Sequence, residues 1–247
     1  MNCKHLLSSS LSIYVLMATA LGSVMDRRAT GIAPMNSAKV VSLQDCLSDS
    51  QVTIAVRMLS DGKYADQQKA VALLKADAER SSPCRTRVIR GLMSAMDQPN
   101  LDLTGGTPKF FLWSYGTRLL GELKATEALD LLIANFDLHD GSGFPLNHYP
   151  ALGGVIDMGE IALPKLQTVL RENPDPYKRR HTVFCIALIG GQLAHQILRQ
   201  SLNRETDPCV TSCIRASLTA FANKRRPHHI SAESRTRWYT TFLCNGE

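Results

Sequence analysis

Apolar residues along this chain recur at helical spacing in short stretches, separated by turns that carry Gly, Pro and Asp. The pattern is clearest from Ala151 to Ala222. Met158-Gly159 is followed by an apolar stripe to Leu170, then a Pro/Asp-bearing turn, then a second stripe that ends at Ile189-Gly190. The order then starts again with Leu193-Ala194, Leu198, Leu202 and the turn at Asp207-Pro208. Ala162 to Ala194 is a step of 32 residues, as are Leu170 to Leu202 and Asp175 to Asp207. A period of this size is one helical hairpin of a stacked repeat. The spacing predicts an all-α fold, an α/α solenoid (superhelix) in which paired helices shield their apolar faces against the next pair. A right-handed stack with a face of inner helices is expected.

Earlier segments fit the same plan less closely. Val40 to Leu59 carries Val41, Leu43, Leu47, Ile54, Val56, Met58 and Leu59, and reads as one broken helix or two short ones. Tyr64 to Ala78 is a helix with Ala65, Ala70, Val71, Leu73 and Leu74 inward, and Lys69, Lys75, Asp77 and Glu79 toward water. Ser81-Ser82-Pro83 ends it, and Pro83 suits the start of the next helix, whose inward residues are Val88, Ile89, Leu92, Met93 and Met96. Phe110 to Leu120 is helical, and Gly121 is expected to break it. Thr126 is placed to cap a helix with Ala128, Leu129, Leu131, Leu132 and Phe136 inward. Leu120-Gly121 reads as an earlier copy of Met158-Gly159, but the step from 120 to 158 is 38. The extra length falls in the segment 137–150, which carries His139, Asp140, Phe144, His148 and Tyr149. Insertions in stacked repeats fall on one edge and often make a binding rim.

Leu152, Val155, Ile156, Met158-Gly159, Ala162, Leu163-Pro164, Leu166 and Leu170 together resemble one unit of the HEAT-like repeat family. Ala187-Leu188-Ile189-Gly190-Gly191, Ala194, Leu198 and Leu202 resemble the next, without a counterpart of Pro164. Asp175, Asp207 and Arg179-Arg180 are similar to the inter-helix residues of that family. The resemblance covers residues 115–222 and is weak over 40–97. It implies HEAT-like helical hairpins. On activity it is nearly silent, because its positions are packing positions and the family includes both protein-binding scaffolds and units fused to tetrapyrrole-attaching lyases.

The first residues change the picture of where the protein works. Lys4, the apolar run Leu11–Gly22 and the small residues Ala18-Thr19-Ala20 read as an export signal cleaved near Ala20. Arg27 and Arg28 soon after the run leave an uncleaved anchor, or a plain N-terminal helix, as alternatives. The chain then divides into 1–22 as signal peptide or anchor, 23–38 as linker, 39–223 as helical repeat domain and 224–247 as a C-terminal capping segment. Removal of Cys3 leaves Cys46, Cys84, Cys185, Cys209, Cys213 and Cys244. An even count in an exported chain, periplasmic or secreted, points to disulfides. Cys46 and Cys84 are placed to tie the first helices, and Cys209 or Cys213 to hold the tail through Cys244. Cys185, in an apolar stretch, reads as a buried thiol.

Composition narrows the function less. With 44% hydrophobic and 20% charged residues the chain folds rather than staying disordered. The formal charge of +6, from 28 Lys+Arg against 22 Asp+Glu, is a mild bias that can steer an anionic surface or polymer. Nucleic acid is not the expected partner of an exported chain, although Lys178-Arg179-Arg180-His181 and the basic, aromatic segment from Lys224 to Tyr239 have the needed residue types. No His-Glu-x-x-His, Cys-x-x-Cys or Gly-x-Ser-x-Gly pattern occurs, so no metal site and no cofactor is expected. A Cys185–His181 pair would share one helical face but reads as structural. Of the cluster Phe110, Phe111, Trp113 and Tyr115, most rings belong to packing, with one or two exposed.

The expected function is non-catalytic: an exported scaffold that binds a protein or peptide through the repeat edge and the 137–150 segment. Trp113, His139, Asp140, Phe144, His148, Tyr149, Arg179 and Arg180 are its candidate contact residues. Two alternatives stand beside it. One is an enzyme or enzyme subunit using His139, Asp140 and His148. The other is a structural protein of the cell envelope.

Overall fold

The computed structural model describes residues 45–98, 106–139 and 149–222. The expected signal or anchor, the linker and the segment 224–247 lie outside the described residues, as do Asp140, Phe144, His148 and Cys244. Among the described residues the chain is all helical: α1 (Asp49–Asp61), α2 (Tyr64–Ala78), α3 (Ser82–Met96), α4 (Pro108–Glu122), α5 (Leu129–Ala134), α6 (Pro150–Met158), α7 (Leu163–Glu172), α8 (Pro176–Ile189), α9 (Gly191–Leu202) and α10 (Pro208–Ala222). Short 3₁₀ turns at Thr126–Ala128 and Gly159–Ala162 lead into α5 and α7.

Local chemistry starts these helices where they start. Ser48 and Gln51 form a reciprocal capping box on α1. Ser81, Thr107 and Asp175 cap α3, α4 and α8 with their side chains. Asp207 accepts from the N–H of Val210 at 2.9 Å and does the same for α10. Pro108, Pro150, Pro176 and Pro208 are the first residues of α4, α6, α8 and α10. There a fixed φ favours the helix and the missing N–H would have had no partner.

Those four proline-led helices stack in sequence order, α4 on α6, α6 on α8 and α8 on α10. The returning helix of each hairpin packs beside them, with α7 also against α9. This is the all-α, solenoid-like packing that the period of 32 predicts. The equivalent positions occupy equivalent places. Ala128, Ala162 and Ala194 are all fully buried, and so are Leu132, Leu166 and Leu198. Gly159 (φ 72°) and Gly190 (φ 73°) leave α6 and α8 in the left-handed region, which glycine enters without a Cβ clash. Helix α8 is covered by α6, α7, α9 and α10, so every residue from His181 to Gly190 is buried. Upstream, α1 packs against α2, α3 and α4.

Several local expectations are corrected. Of the stretch 40–59 the described part starts at residue 45: residues 45–48 are non-helical, α1 begins at Asp49 behind the Ser48 cap, and Ile54 is exposed. In α2 the buried face is Gln67, Ala70, Leu74, Asp77 and Ala78, whereas Ala65 and Leu73 are exposed. Asp77 turns inward to accept from the N–H of Leu47 at 3.0 Å, and Gln67 donates to the carbonyl of Leu59 at 3.2 Å. Thr126 makes no side-chain cap. Gly121 does not break α4 but lies inside it, where α4 crosses α6. A Cβ there would fall 2.7 Å from the carbonyl oxygen of Gly154 and 2.7 Å from Asp157 Cβ. The left-handed residue of that turn is Lys124 (φ 55°), whose Nζ donates to the carbonyl of Asp157.

Cys46 and Cys84 form a disulfide, with Cα atoms 5.1 Å apart. It is one of several ties on residues 45–47, which also engage Asp77, Arg80 and Arg87. Cys185 is a buried free thiol, as expected. Cys213 is corrected: it is a buried thiol on α10 and not half of a disulfide, whereas Cys209 is disulfide-bonded to a residue outside the described ones. Both thiols are pushed up by burial, Cys213 to about 11.

Candidate functional site

The two ends of the 137–150 segment meet over a row of aromatic rings. Tyr149, just before α6, is buried with its ring 5.3 Å from that of His139 and 6.1 Å from that of His181. His181 lies edge-on to Tyr177 at 4.3 Å, and the guanidinium of Arg180 sits 4.7 Å from the Tyr177 ring centre. Tyr177, Arg180 and His181 come from the first turns of α8, placed there by the Asp175 cap and Pro176. The Nδ1 of His181 is 3.0 Å from the carbonyl oxygen of Tyr177. A carbonyl only accepts, so Nδ1 carries the proton. Burial pushes this imidazole down to about 4, and nearby Arg180 adds to the shift. The ring row is therefore neutral at its centre near neutral pH and links the residues that follow α5 to the starts of α6 and α8.

The next residue, Pro150, opens a cleft of about 440 Å³ between α4 and α6. Phe110, Phe111, Ser114, Tyr115 and Arg118 of α4 form one wall. Gly153, Gly154 and Asp157 of α6 form the other. The Phe110 and Phe111 rings meet edge to face, their centres 5.9 Å apart. Thr117 and Gly121 approach α6 so closely that a Cβ on Gly154 would lie 2.7 Å from the carbonyl oxygen of Thr117. That crossing fixes one end of the cleft, and the foot of the 137–150 segment marks the other.

The candidate residues separate on this frame. His139, Tyr149 and Arg180 converge at the ring row. Trp113 is corrected: it is 0% exposed, packed in the core, and offers no face to a partner. Helix α4 is amphipathic, and the cluster divides with Trp113 inward and Phe110, Phe111 and Tyr115 half-buried. Arg179 is corrected too. Its Nε and Nη2 donate to the two carboxylate oxygens of Glu205 at 2.9 and 2.8 Å, and its Nη1 donates to the carbonyls of Asn173 and Pro174. The hydrogen bond that Arg179 donates to Glu205 holds the guanidinium above its ordinary range, and the pairing lowers the carboxyl of Glu205 against the cost of burying it. Arg179 thus clamps two turns together. The Cys185–His181 pair is buried on both sides, with a protonated thiol, as its structural reading expects.

Two further clefts lie on the returning helices. One, about 360 Å³ and largely apolar, runs between α3 and α5 beside Ile89, Met93 and Leu131. The other, about 290 Å³ and polar, lies between the ends of α7 and α9 beside Arg171, Arg179 and Arg204. Among the described residues no group of three or more His, Cys, Asp and Glu is placed to hold a metal ion. The residues of the α4–α6 cleft that sequence pattern missed include Ser114, Thr117, Arg118, Gly153 and Gly154. The one available signal was a pair of glycines inside an otherwise apolar helix.

Against known proteins the chain stands apart: it matches no family model, and no curated protein or solved structure matches it.

Proposed function

We propose that this protein is a non-catalytic binding scaffold, built of HEAT-like hairpins, that recognises a protein or peptide through the repeat edge at the α4–α6 cleft and through the 137–150 segment. The observation that supports the reading is the aromatic-walled cleft of about 440 Å³ beginning at Pro150, beside a fixed row of rings. Half-buried aromatic side chains over a rigid helical frame supply contact area at low entropic cost, which is how recognition surfaces concentrate binding energy. Arg180, at the root of the segment, biases the edge toward partners with acidic neighbours.

Work outside the cytoplasm belongs to the same proposal. The Cys46–Cys84 disulfide persists in an oxidising compartment, and no helix among the described residues is long and apolar enough to cross a membrane. N-terminal sequencing of the protein recovered from its native host tests export, with a mature start near residue 21 as the expected result.

Binding is tested by affinity capture from an extract of that compartment, with the wild-type chain and Phe111→Ser as baits in parallel. A polypeptide retained by the first and lost from the second is the expected result. Identical recoveries on both baits would place recognition elsewhere and sink the proposal.

A further inference from the structure

We infer that Cys244 is the second half of the Cys209 disulfide, and that this bond lays the segment 238–244 over the unstacked side of α10 as the cover that ends the hairpin stack.

The pairing follows by elimination. The chain has seven cysteines. Cys46 is bonded to Cys84, and Cys185 and Cys213 are free thiols. Cys209 is disulfide-bonded, which leaves Cys3 and Cys244 as partners. Cys244 shares the compact unit 43–247 with Cys209, and Cys3 does not. The expected cleavage near Ala20 also removes Cys3. Cys209 lies in the first turn of α10 and Ala222 ends it, so the helix between them is about 20 Å long. The 22 residues from 223 to 244 span up to about 70 Å when extended. They can turn and run back along the helix. Cys209 suits the bond better than Cys213. It is half-buried near the N-terminal end of its helix, where a thiolate is favoured, whereas burial pushes Cys213 up to about 11. Bond formation transfers two electrons and two protons from the Cys209 and Cys244 thiols to a disulfide oxidant of the compartment, which is reduced to two thiols.

What the bond delivers selects the occupant. In the stack α6 lies between α4 and α8, and α8 between α6 and α10. Among the described helices α10 packs against α8 and α9, and none stacks on its far side. Next along the Cys209 side of α10 are Ser212, exposed, and Ala216, half-buried. Both are small and let a returning chain lie close. Four of the six residues before Cys244 are Trp238, Tyr239, Phe242 and Leu243. A bond at Cys244 brings these large side chains to α10, where covering the helix removes them from water. Arg235, Arg237, Thr240 and Thr241 are left for the outer face. A stack of repeats needs a terminal unit with such a polar outer face to stay soluble.

The test is peptide mapping of the full chain, produced in an oxidising compartment, then unfolded, alkylated and digested with trypsin without reductant. The peptide 205–215 linked to 238–247 is expected, with Cys185 and Cys213 alkylated. Cys244 found alkylated, or Cys209 linked to Cys3 or Cys213, overturns the inference. So does a Cys209–Cys244 link between two chains, seen as a covalent dimer in a non-reducing gel, because the occupant is then a second copy. Hydrogen exchange tests the cover separately. In Cys244→Ser the amides of α10 should exchange about tenfold or more faster, with α1 to α5 unchanged. In Trp238→Ser with Phe242→Ser, where the disulfide remains, α10 should also lose protection. Exchange of α10 at the wild-type rate in either variant overturns the cover.

Discussion

At the scale of single residues, adjacent glycines and one histidine show how neighbours in sequence take different duties. Gly154 is required by the crossing with Thr117, whereas Gly153 faces open space. Alanine at 154 is expected to cost about 1 to 3 kcal/mol through overpacking. Alanine at 153 should instead raise stability by about 0.5 to 1 kcal/mol through helix propensity. Urea denaturation of the two variants checks the contrast, and equal effects would show that the crossing is not tight. His181 has the ordinary value of 6.5 when unfolded and about 4 in the fold. Between those values the unfolded chain takes up a proton that the folded chain refuses. Stability from this residue therefore falls as pH drops from above 6.5 toward 4. The loss at a pH of about 4.5 is on the order of 2 kcal/mol. Comparing acid-induced loss of stability in the wild type and in His181→Phe isolates it. The variant should lose less, and an equal loss would mean that the imidazole is not shielded.

At the scale of elements, the turns are held by cations placed on carbonyls at helix ends. Arg85 donates to Leu123 and Lys124 after α4, Lys178 to Ala134 at the end of α5, and Arg179 to Asn173 and Pro174 after α7. Such groups satisfy carbonyls that no intrahelical N–H can reach, and they complement the negative end of the helix. Arg179 matters most because its partner is shielded: the Arg179 and Glu205 side chains are 13% and 6% exposed. Arg179→Ala leaves a nearly buried carboxylate with only backbone N–H partners and is expected to cost about 3 kcal/mol. The midpoint of urea unfolding reads this, and a shift no larger than that of an exposed arginine such as Arg199 would refute the clamp. The double change Arg179→Met with Glu205→Leu should recover much of the loss, since removing both charges removes the uncompensated one.

At the scale of the whole molecule, stability is a sum over neighbouring hairpins, and the N-terminal end of the described stack carries a covalent tie. Cys46 and Cys84 close a loop with a sequence separation of 38. Reduction, or Cys46→Ser with Cys84→Ser, is expected to lower stability by roughly 3 to 4 kcal/mol, mainly by freeing the unfolded chain. Differential scanning calorimetry with and without reductant measures it. Hydrogen exchange should place the loss in α1 to α3, because each hairpin touches only its neighbours. A uniform loss across α4 to α10 would contradict that locality. Helix α8, enclosed on all sides, is expected to exchange slowest in either state.

Much of the architecture could be read from the order of residues, because repeat spacing, caps and prolines act locally. Asp175, Pro176, Asp207, Pro208, Gly159 and Gly190 each impose a backbone state on their own turn, so the hairpin period was visible without coordinates. The Cys46–Cys84 pairing was also legible, since few helices separate them. Tertiary structure decided matters that depend on which face meets which neighbour. It turned Trp113 inward, engaged Arg179 with a carboxylate 26 residues away, and drew Asp77 into the interior. It also gave two adjacent glycines opposite roles, because a helix crossing is set by the partner helix, and nothing in the local sequence states where that partner passes.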